Sequence, residues 1–173
     1  GGGFRLEDRE GLIREVRALR TRASPEALFR SFASLGGERG WLVWNWAWAL
    51  RGFLDRLLGG PGLRRGRRHP TELLPGEAVD FWRVEAVEPP RLLRLRAEMR
   101  LPGRAWLEWE AREAEGGSLL VQTAYFEPKG LTGFLYWWAL YPIHRRIFSD
   151  LARAIVREAE AQAEAPPRGG GAG

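Results

Sequence analysis

An alternating stretch from Glu77 to Glu127 constrains this chain more than any other feature of its sequence. Polar and apolar residues alternate there with a period of two, as where Leu107 and Trp109 flank Glu108. Turn signals rich in Pro and Gly divide the stretch into strands at about 77–88, 91–100, 104–114 and 118–127. Because the links are short, the strands are predicted to be antiparallel neighbours in a meander, with one apolar face and one charged face.

A long helix is predicted to follow the meander, from about Leu131 to Ala163. Its first half, Phe134 to Phe148, is apolar almost all round, and its second half is amphipathic. A one-sided antiparallel sheet and a mostly apolar helix bury each other when the sheet curls around the helix. The sequence therefore predicts an α+β domain in which a curved antiparallel sheet wraps around a long C-terminal helix.

Two shorter helices and two further strands are predicted before the meander. Ser24-Pro25 begins a helix that ends near Leu35, with serine as the N-cap and proline in the first turn. A second helix, rich in tryptophan, is predicted at about 40–58, and a short edge strand at 62–69. Residues 11–22 fit either a helix or a first strand. The resulting organisation is a flexible segment at 1–10, a single domain at 11–163 and a disordered Pro/Gly tail at 164–173.

Composition excludes several classes of site. The 173 residues include no cysteine and only two histidines, so disulfides, thiolate metal sites and multi-histidine metal sites are ruled out, and no metal is expected. The net charge is +5, with nine tryptophans, and Lys129 is the only lysine among the 27 cationic residues. We find no signal-peptide pattern and no apolar stretch long enough to span a membrane, so we expect a cytoplasmic protein.

Several stretches make the sequence resemble a known family. They are Gly36-Gly37-Glu38-Arg39-Gly40-Trp41, Leu50-Arg51-Gly52-Phe53-Leu54-Asp55-Arg56-Leu57, Gly62-Leu63-Arg64-Arg65-Gly66-Arg67-Arg68, Asp80-Phe81-Trp82-Arg83-Val84, Leu101-Pro102-Gly103-Arg104-Ala105-Trp106-Leu107-Glu108, Gln122-Thr123-Ala124, Leu135-Tyr136-Trp137 and Pro142-Ile143-His144. The order of elements resembles the helix-grip fold of the START and polyketide-cyclase-like (SRPBCC) superfamily. These stretches look closer still to a domain of unknown function that follows the NAD(P)-binding Rossmann domain in some bacterial proteins that resemble short-chain dehydrogenases.

The resemblance implies more than a fold. It makes residues 11–22 a strand, and it offers a reason for the missing initiator methionine, since this chain would be the tail of a longer one. No G-x-G-x-x-G motif follows a strand and opens a helix here, so we expect no cofactor in this chain. NAD(P) is expected only in a fused or partner Rossmann domain. The family offers no catalytic motif to carry over.

In a helix-grip fold a ligand cavity lies between the apolar sheet face and the C-terminal helix. The ligand-binding candidates are Trp82 and Trp109 from the sheet, Trp138 and Tyr141 from the helix, and Phe126 or Tyr125, depending on the register of the last strand. Large rings, some with a polar handle, suit an apolar or aromatic ligand. The alternative is that these rings simply fill the core.

Four polar residues are candidates for chemistry within such a cavity. Asp80 is predicted mid-strand in phase with Trp82, where it would be a ligand anchor or an acid–base group, although an ion pair with an arginine is the preferred reading. His144 and Tyr125 are further acid–base candidates, and His144 is more often hydrogen-bonded or exposed in such a position. Asn45, the only asparagine, would cap a backbone or touch a ligand.

The densest positive run is Arg64-Arg65-Gly66-Arg67-Arg68. Its arginines, Arg64, Arg65, Arg67 and Arg68, would contact an anion or the acidic face of a partner domain. A charged edge strand also resists edge-to-edge aggregation, which is the alternative explanation. We expect a domain contact or edge protection rather than nucleic-acid binding.

The leading functional hypothesis is a domain that binds a small hydrophobic ligand and works as an accessory module beside a Rossmann domain. We do not expect this domain alone to be an enzyme. The first alternative is a cyclase- or dehydratase-like enzyme that uses an acid–base residue in the cavity. The second alternative is an interfacial protein that uses Trp and Arg to bind an anionic membrane or nucleic acid.

Overall fold

A computed structural model describes residues 3–9, 12–35, 57, 73–79, 82–97 and 103–164. The elements in chain order are β1 (Gly3–Arg9), β2 (Leu12–Thr21), α1 (Pro25–Ala33), β3 (Ala78–Val79), β4 (Trp82–Glu88), β5 (Leu92–Ala97), β6 (Gly103–Ala114), β7 (Gly117–Pro128) and α2 (Gly130–Glu164). Apart from Leu57, the predicted helix at 40–58 lies outside the described residues, as do the predicted strand at 62–69 and the tail from 165.

The strands form one seven-stranded antiparallel sheet in the order β1-β2-β7-β6-β5-β4-β3. Helices α1 and α2 pack on the apolar side of this sheet, which we call the inner face, and the other side is the outer face. The predicted α+β helix-grip fold is therefore confirmed, and residues 12–21 form the strand that the resemblance implied. The meander strands are also confirmed, with one exception in the predicted strand at 77–88.

The exception is the predicted strand at 77–88, which contains two strands, β3 and β4. Val79 pairs with Trp82 and Ala78 with Arg83 in antiparallel register, so β3 and β4 are neighbours and not one continuous strand. The prediction that Asp80 is in phase with Trp82 assumed a continuous strand and therefore loses its basis. Asp80 itself lies outside the described residues.

The N-terminal segment also differs from the prediction. Residues Gly3–Arg9, expected to be a flexible linker, form β1 and pair with β2 along its whole length, from Gly3↔Ala18 to Arg9↔Leu12. Without β1, strand β2 would present a row of unpaired backbone groups at the edge of the sheet. Pairing supplies those hydrogen bonds, whereas the sequence signal for this strand is obscured by its charged residues and by the glycines that precede Phe4.

Helix α1 begins as its sequence predicts and closes one part of the core. The Ser24 side chain accepts a hydrogen bond from the backbone N–H of Ala27 (3.1 Å), and Pro25 occupies the first turn. The buried side of α1 includes Phe32, whose ring stacks on Trp109 of β6 with centroids 6.2 Å apart. This contact fixes α1 against the centre of the sheet.

Helix α2 crosses the sheet over β2 and β7. Three side chains donate hydrogen bonds to backbone carbonyl oxygens of α2: Arg17 to Arg145 (3.0 Å), Gln122 to Phe148 (2.9 Å) and Ser31 to Ile155 (2.9 Å). Thr21 also donates to the Glu160 carboxylate (2.7 Å). The part of α2 from Arg145 onward is thus anchored to the sheet and to α1 by polar contacts.

Candidate functional site on the inner face of the sheet

Among the residues that the structure describes, the inner face carries two separate apolar clusters. The larger one is the main core, built from α1, the second half of α2 and the centre of the sheet. The smaller one consists of Ile13, Phe126 and Trp137, with Ala105, Tyr136 and Tyr141 packed around them. This smaller set, which we call the aromatic cluster, lies under the first half of α2. The interior is therefore divided into a core and a distinct aromatic end.

Stacking organises the aromatic cluster. The rings of Phe126 and Trp137 lie nearly parallel, with centroids 5.4 Å apart and an interplanar angle of 13°. Tyr141 packs against Trp137 at 6.0 Å, and Tyr136 packs against Phe126 at 6.1 Å. Flat rings with polar tips can bind an aromatic molecule by stacking and also orient its polar group.

A polar layer lies on the same face of the sheet. Glu15 is 1% exposed, and its Oε1 accepts a hydrogen bond from Arg17 Nη2 at 2.6 Å, while the Arg17 side chain is 12% exposed. Next to Arg17 in register is Gln122, which accepts a hydrogen bond from Trp109 Nε1 (2.8 Å). The inner face of β2 and β7 thus contains a buried ion pair and a buried amide, each directed toward the helices.

Two buried polar atoms of this region lack partners. Within the described part of the chain, Glu15 Oε2 has no hydrogen-bond donor and Trp137 Nε1 has no acceptor. Trp137 stacks on Phe126, which pairs in register with Ile13, and Glu15 is the next residue of β2 on that face, ~7 Å along the strand. An unsatisfied acceptor and an unsatisfied donor therefore occur at the same end of the interior. Each costs roughly 1–3 kcal/mol if nothing binds it.

The structure places three predicted ligand-binding residues on the inner face: Trp82, Trp109 and Phe126 are 3%, 0% and 2% exposed. Trp82 and Trp109 belong to the main core, and only Phe126 belongs to the aromatic cluster. Tyr141 is half-buried beside Trp137.

Trp138 does not face the sheet as predicted. It follows Trp137 on α2, and the rotation of about 100° per residue carries its ring toward solvent, where it is 55% exposed. Because this half of α2 is apolar on all sides, its sequence does not show which side is buried. The structure therefore corrects the placement of Trp138.

Tyr125 lies on the outer face, because the register pairs it with Trp106 and Arg14 and turns Phe126 inward. Its hydroxyl donates to Glu108 Oε2 (3.3 Å), which also belongs to an ion pair with Arg94 (2.7 Å). Burial, followed by the negative charge of Glu108, raises the pKa of Tyr125 above its usual value. A phenol held protonated on the charged side of the sheet is not a general acid or base of the interior.

His144 lies half-buried on α2 among aromatic rings. Its ring centroid is 6.2 Å from that of Trp137 and 5.8 Å from that of Phe148. This position borders the aromatic cluster, and a role in proton transfer stays a prediction. The remaining predicted residues, Asp80, Asn45, Arg64, Arg65, Arg67 and Arg68, lie outside the described residues.

None of Glu15, Arg17, Gln122 and Trp137 was among the predicted site residues, although Gln122 and Trp137 lie in stretches that carry the family resemblance. The first two alternate with Ile13 and Leu19, a pattern that would have placed them on an inner face once β2 was taken as a strand. The described ranges contain no group of three or more His, Asp or Glu arranged to hold a metal ion.

An antiparallel sheet that packs its inner face on a long C-terminal helix defines this chain as a START-like helix-grip protein. The model of a family described as "Protein of unknown function (DUF2867)" matches residues 9–151, and the chain belongs to this family. No curated protein matches the chain.

Solved structures share the fold at low sequence identity. The di-domain ARO/CYC StfQ from the steffimycin biosynthetic pathway has a TM-score of 0.54 at 12% identity, over 89% of this chain and 52% of that one. The protein of unknown function SA2116 from Staphylococcus aureus has a TM-score of 0.53 at 12% identity, over 89% and 97%. Ara h 8.0201 has a TM-score of 0.51 at 14% identity, over 87% and 99%. At such identities the likeness shows the fold alone.

Proposed function

We propose that this protein binds a small, mostly apolar or aromatic molecule between the inner face of the sheet and the first half of α2. The observation that carries the proposal is the pair of buried, unpartnered atoms, Glu15 Oε2 and Trp137 Nε1, at the aromatic end of the interior. A folded protein rarely leaves a buried donor and a buried acceptor unsatisfied unless a bound molecule satisfies them.

The two atoms also indicate the chemistry of the ligand. A hydroxyl group is both donor and acceptor, so one hydroxyl, or two polar groups of a small molecule, would satisfy Glu15 and Trp137 together. The rest of the molecule would lie against the aromatic cluster, where ring stacking favours a flat apolar body. We therefore infer a ligand of the phenol or polycyclic alcohol type.

Native mass spectrometry of protein purified from its own host tests this function. We expect a copurified molecule of defined mass, and a wholly unliganded protein would contradict the proposal. A direct test compares the binding of 2-naphthol and naphthalene by calorimetry, because the two probes differ only in the hydroxyl.

A conservative pair of variants sharpens the test. Trp137→Phe keeps the stacking ring but removes the N–H, so we expect about fivefold weaker binding of 2-naphthol and unchanged binding of naphthalene. Trp106→Phe is the matched control, because its Nε1 donates to Glu85 (2.7 Å) on the outer face. Equal effects of the two variants on 2-naphthol would refute the assignment of Trp137.

We further infer that the module works beside a NAD(P)-binding Rossmann domain. Support for this comes from the sequence stretches quoted above, and the cofactor would belong to the neighbouring domain. Sequencing of the coding region upstream of Gly1 tests it: an in-frame strand–G-x-G-x-x-G–helix segment is expected, and its absence both in frame and in the adjacent gene would count against the association.

The enzymatic alternative has less support. Tyr125 faces outward, and the prediction that Asp80 faces inward assumed a continuous strand that the structure does not have. His144 is therefore the predicted acid–base residue that lies near the aromatic cluster. Glu15 is a buried acid, but Arg17 already engages one of its oxygens. This geometry is better suited to holding a polar group than to cycling a proton.

A further inference from the structure

The solvent-facing side of α2 carries a row of residues that is apolar in its first half and cationic in its second half. Intervals of three, four or seven residues place six residues on one side of the helix. They are Leu131, Leu135, Trp138, Pro142, Arg146 and Arg153, which together we call the α2 outer stripe. The stripe runs for ~33 Å along the helix axis.

The first half of the stripe is apolar and exposed. Leu131, Leu135 and Trp138 are 75%, 62% and 55% exposed, and Phe134 and Ile143 beside them are 37% and 55% exposed. Single exposed apolar residues need no explanation, but five large ones on one helical segment make a patch of the kind that marks an interaction surface. The patch faces solvent, and its Trp138 ring packs against Tyr141 at the margin of the aromatic cluster, with ring centroids 5.7 Å apart.

The second half of the stripe is cationic. It borders an open groove of about 420 Å³, lined by Arg17 and by Pro142, Arg145, Arg146, Asp150 and Arg153 of α2. Because Arg17 is already paired with Glu15, the cations of this groove that belong to the α2 outer stripe are Arg146 and Arg153. Arg17 is held in place by Glu15 and by the backbone carbonyl oxygen of Arg145, so the charge at the base of the groove is fixed before anything binds.

We propose that the α2 outer stripe docks this protein on the surface of a bilayer that contains anionic phospholipid. Leucine and tryptophan side chains enter the boundary between acyl chains and headgroups, and the arginines of the same helix bind lipid phosphates. The arginines at the groove place positive charge next to the apolar patch, and the whole chain has a net charge of +5. Both favour a negatively charged surface. No helix among the described residues is long and apolar enough to cross a membrane, so the contact is with the surface.

A second copy of the chain is a poorer occupant of this surface. A two-fold contact with parallel stripes would set arginines against arginines, and antiparallel stripes would set arginines against leucines. The first arrangement is repulsive, and the second removes guanidinium groups from water without a partner. An anionic bilayer offers phosphate to one half of the stripe and hydrocarbon to the other. The inference is independent of whether the interior binds a ligand.

Vesicle cosedimentation of the full chain tests the proposal. We expect binding to phosphatidylcholine vesicles doped with phosphatidylglycerol, weakened by salt, and little binding to phosphatidylcholine alone. Each neutralised arginine near an anionic surface weakens binding about fivefold, so Arg146→Ala with Arg153→Ala should weaken it about 25-fold. The control is Arg20→Ala with Arg22→Ala, which removes the same charge from two exposed residues outside α2 and should have a much smaller effect.

A site-specific probe tests the apolar half. Because the chain has no cysteine, Leu135→Cys gives a single position for an environment-sensitive dye. Its fluorescence should brighten and shift to the blue only with anionic vesicles, while a dye at Glu113→Cys, at the far end of β6, should not change. Absence of binding to anionic vesicles, equal effects of the two arginine pairs, or a dimer that the stripe variants dissociate would each overturn the proposal.

Discussion

Gln122 is predicted to be the side chain on which the packing of α2 over the sheet depends most. It is 2% exposed and makes two buried hydrogen bonds, accepting from Trp109 Nε1 (2.8 Å) and donating to the carbonyl oxygen of Phe148 (2.9 Å). Gln122→Ala leaves the indole N–H of Trp109 without a partner, at a cost of about 1–3 kcal/mol. The Phe148 carbonyl loses a contact worth about 1 kcal/mol.

The expected loss in the free energy of unfolding is therefore about 2–4 kcal/mol, measured by urea denaturation. Gln162→Ala is the matched control. Gln162 is exposed on the same helix and donates only to Glu158 one turn away (3.1 Å), so its loss should cost no more than about 0.5 kcal/mol.

A double-mutant cycle isolates the bond between the two side chains. Trp109→Phe removes the same N–H and also leaves a cavity, whose cost appears in both Trp109→Phe variants and cancels in the cycle. The coupling energy with Gln122→Leu should therefore be about 1 kcal/mol. If Gln122→Ala proves as harmless as Gln162→Ala, or if the cycle shows no coupling, the view of Gln122 as a link between sheet and helix is wrong.

Three further outcomes follow from particular residues. Burial and the charge of Glu108 raise the pKa of Tyr125 in the folded protein. The phenol therefore contributes fully to stability below its unfolded pKa near 10.0, and this contribution is lost as pH rises through the higher folded pKa. Glu108→Gln should lower the midpoint of an ultraviolet titration of the phenol. A Cβ at Gly117 would collide with a main-chain carbonyl oxygen of β2, so Gly117→Ala should lower the free energy of unfolding by at least about 3 kcal/mol. Gly116→Ala should lower it by only about 1–2 kcal/mol, because a Cβ at Gly116 meets open space. Ser24→Ala removes the N-cap of α1 and should cost about 1 kcal/mol in chemical denaturation, and a value near zero would mean that the cap bond is not formed in solution.

The architecture was largely predictable because its signals are local. Alternation with a period of two and the Pro/Gly turns located the meander, and an apolar run too long for a strand located α2. The site was much less predictable. Strand β2 has polar residues on both faces, with Arg14 and Arg20 on one and Glu15 and Arg17 on the other, so its alternation did not reveal that a buried ion pair faces the helix.

Some choices were left open by the sequence because they depend on partners distant in the chain. Whether Phe126 or Tyr125 faces inward depends on the register of β7 against β2 and β6, in which a shift of one residue exchanges the two faces. Likewise, the side of α2 that holds Trp138 is exposed only because Trp137 stacks on Phe126 of β7.

The alternating stretch and the long helix by themselves determined an α+β domain with its helix on one face of an antiparallel sheet, because residue periodicity dictates which faces must be buried. The tertiary structure alone decided that Trp137 stacks on Phe126, that Glu15 is buried one inward position along β2 from the partner of Phe126, and that an apolar and cationic stripe is left on the outside of α2. These placements depend on strand register and helix rotation. The register joins β2 to β7, which is distant in the chain, and the rotation is set by packing of α2 on the sheet, so neither is encoded in any local pattern.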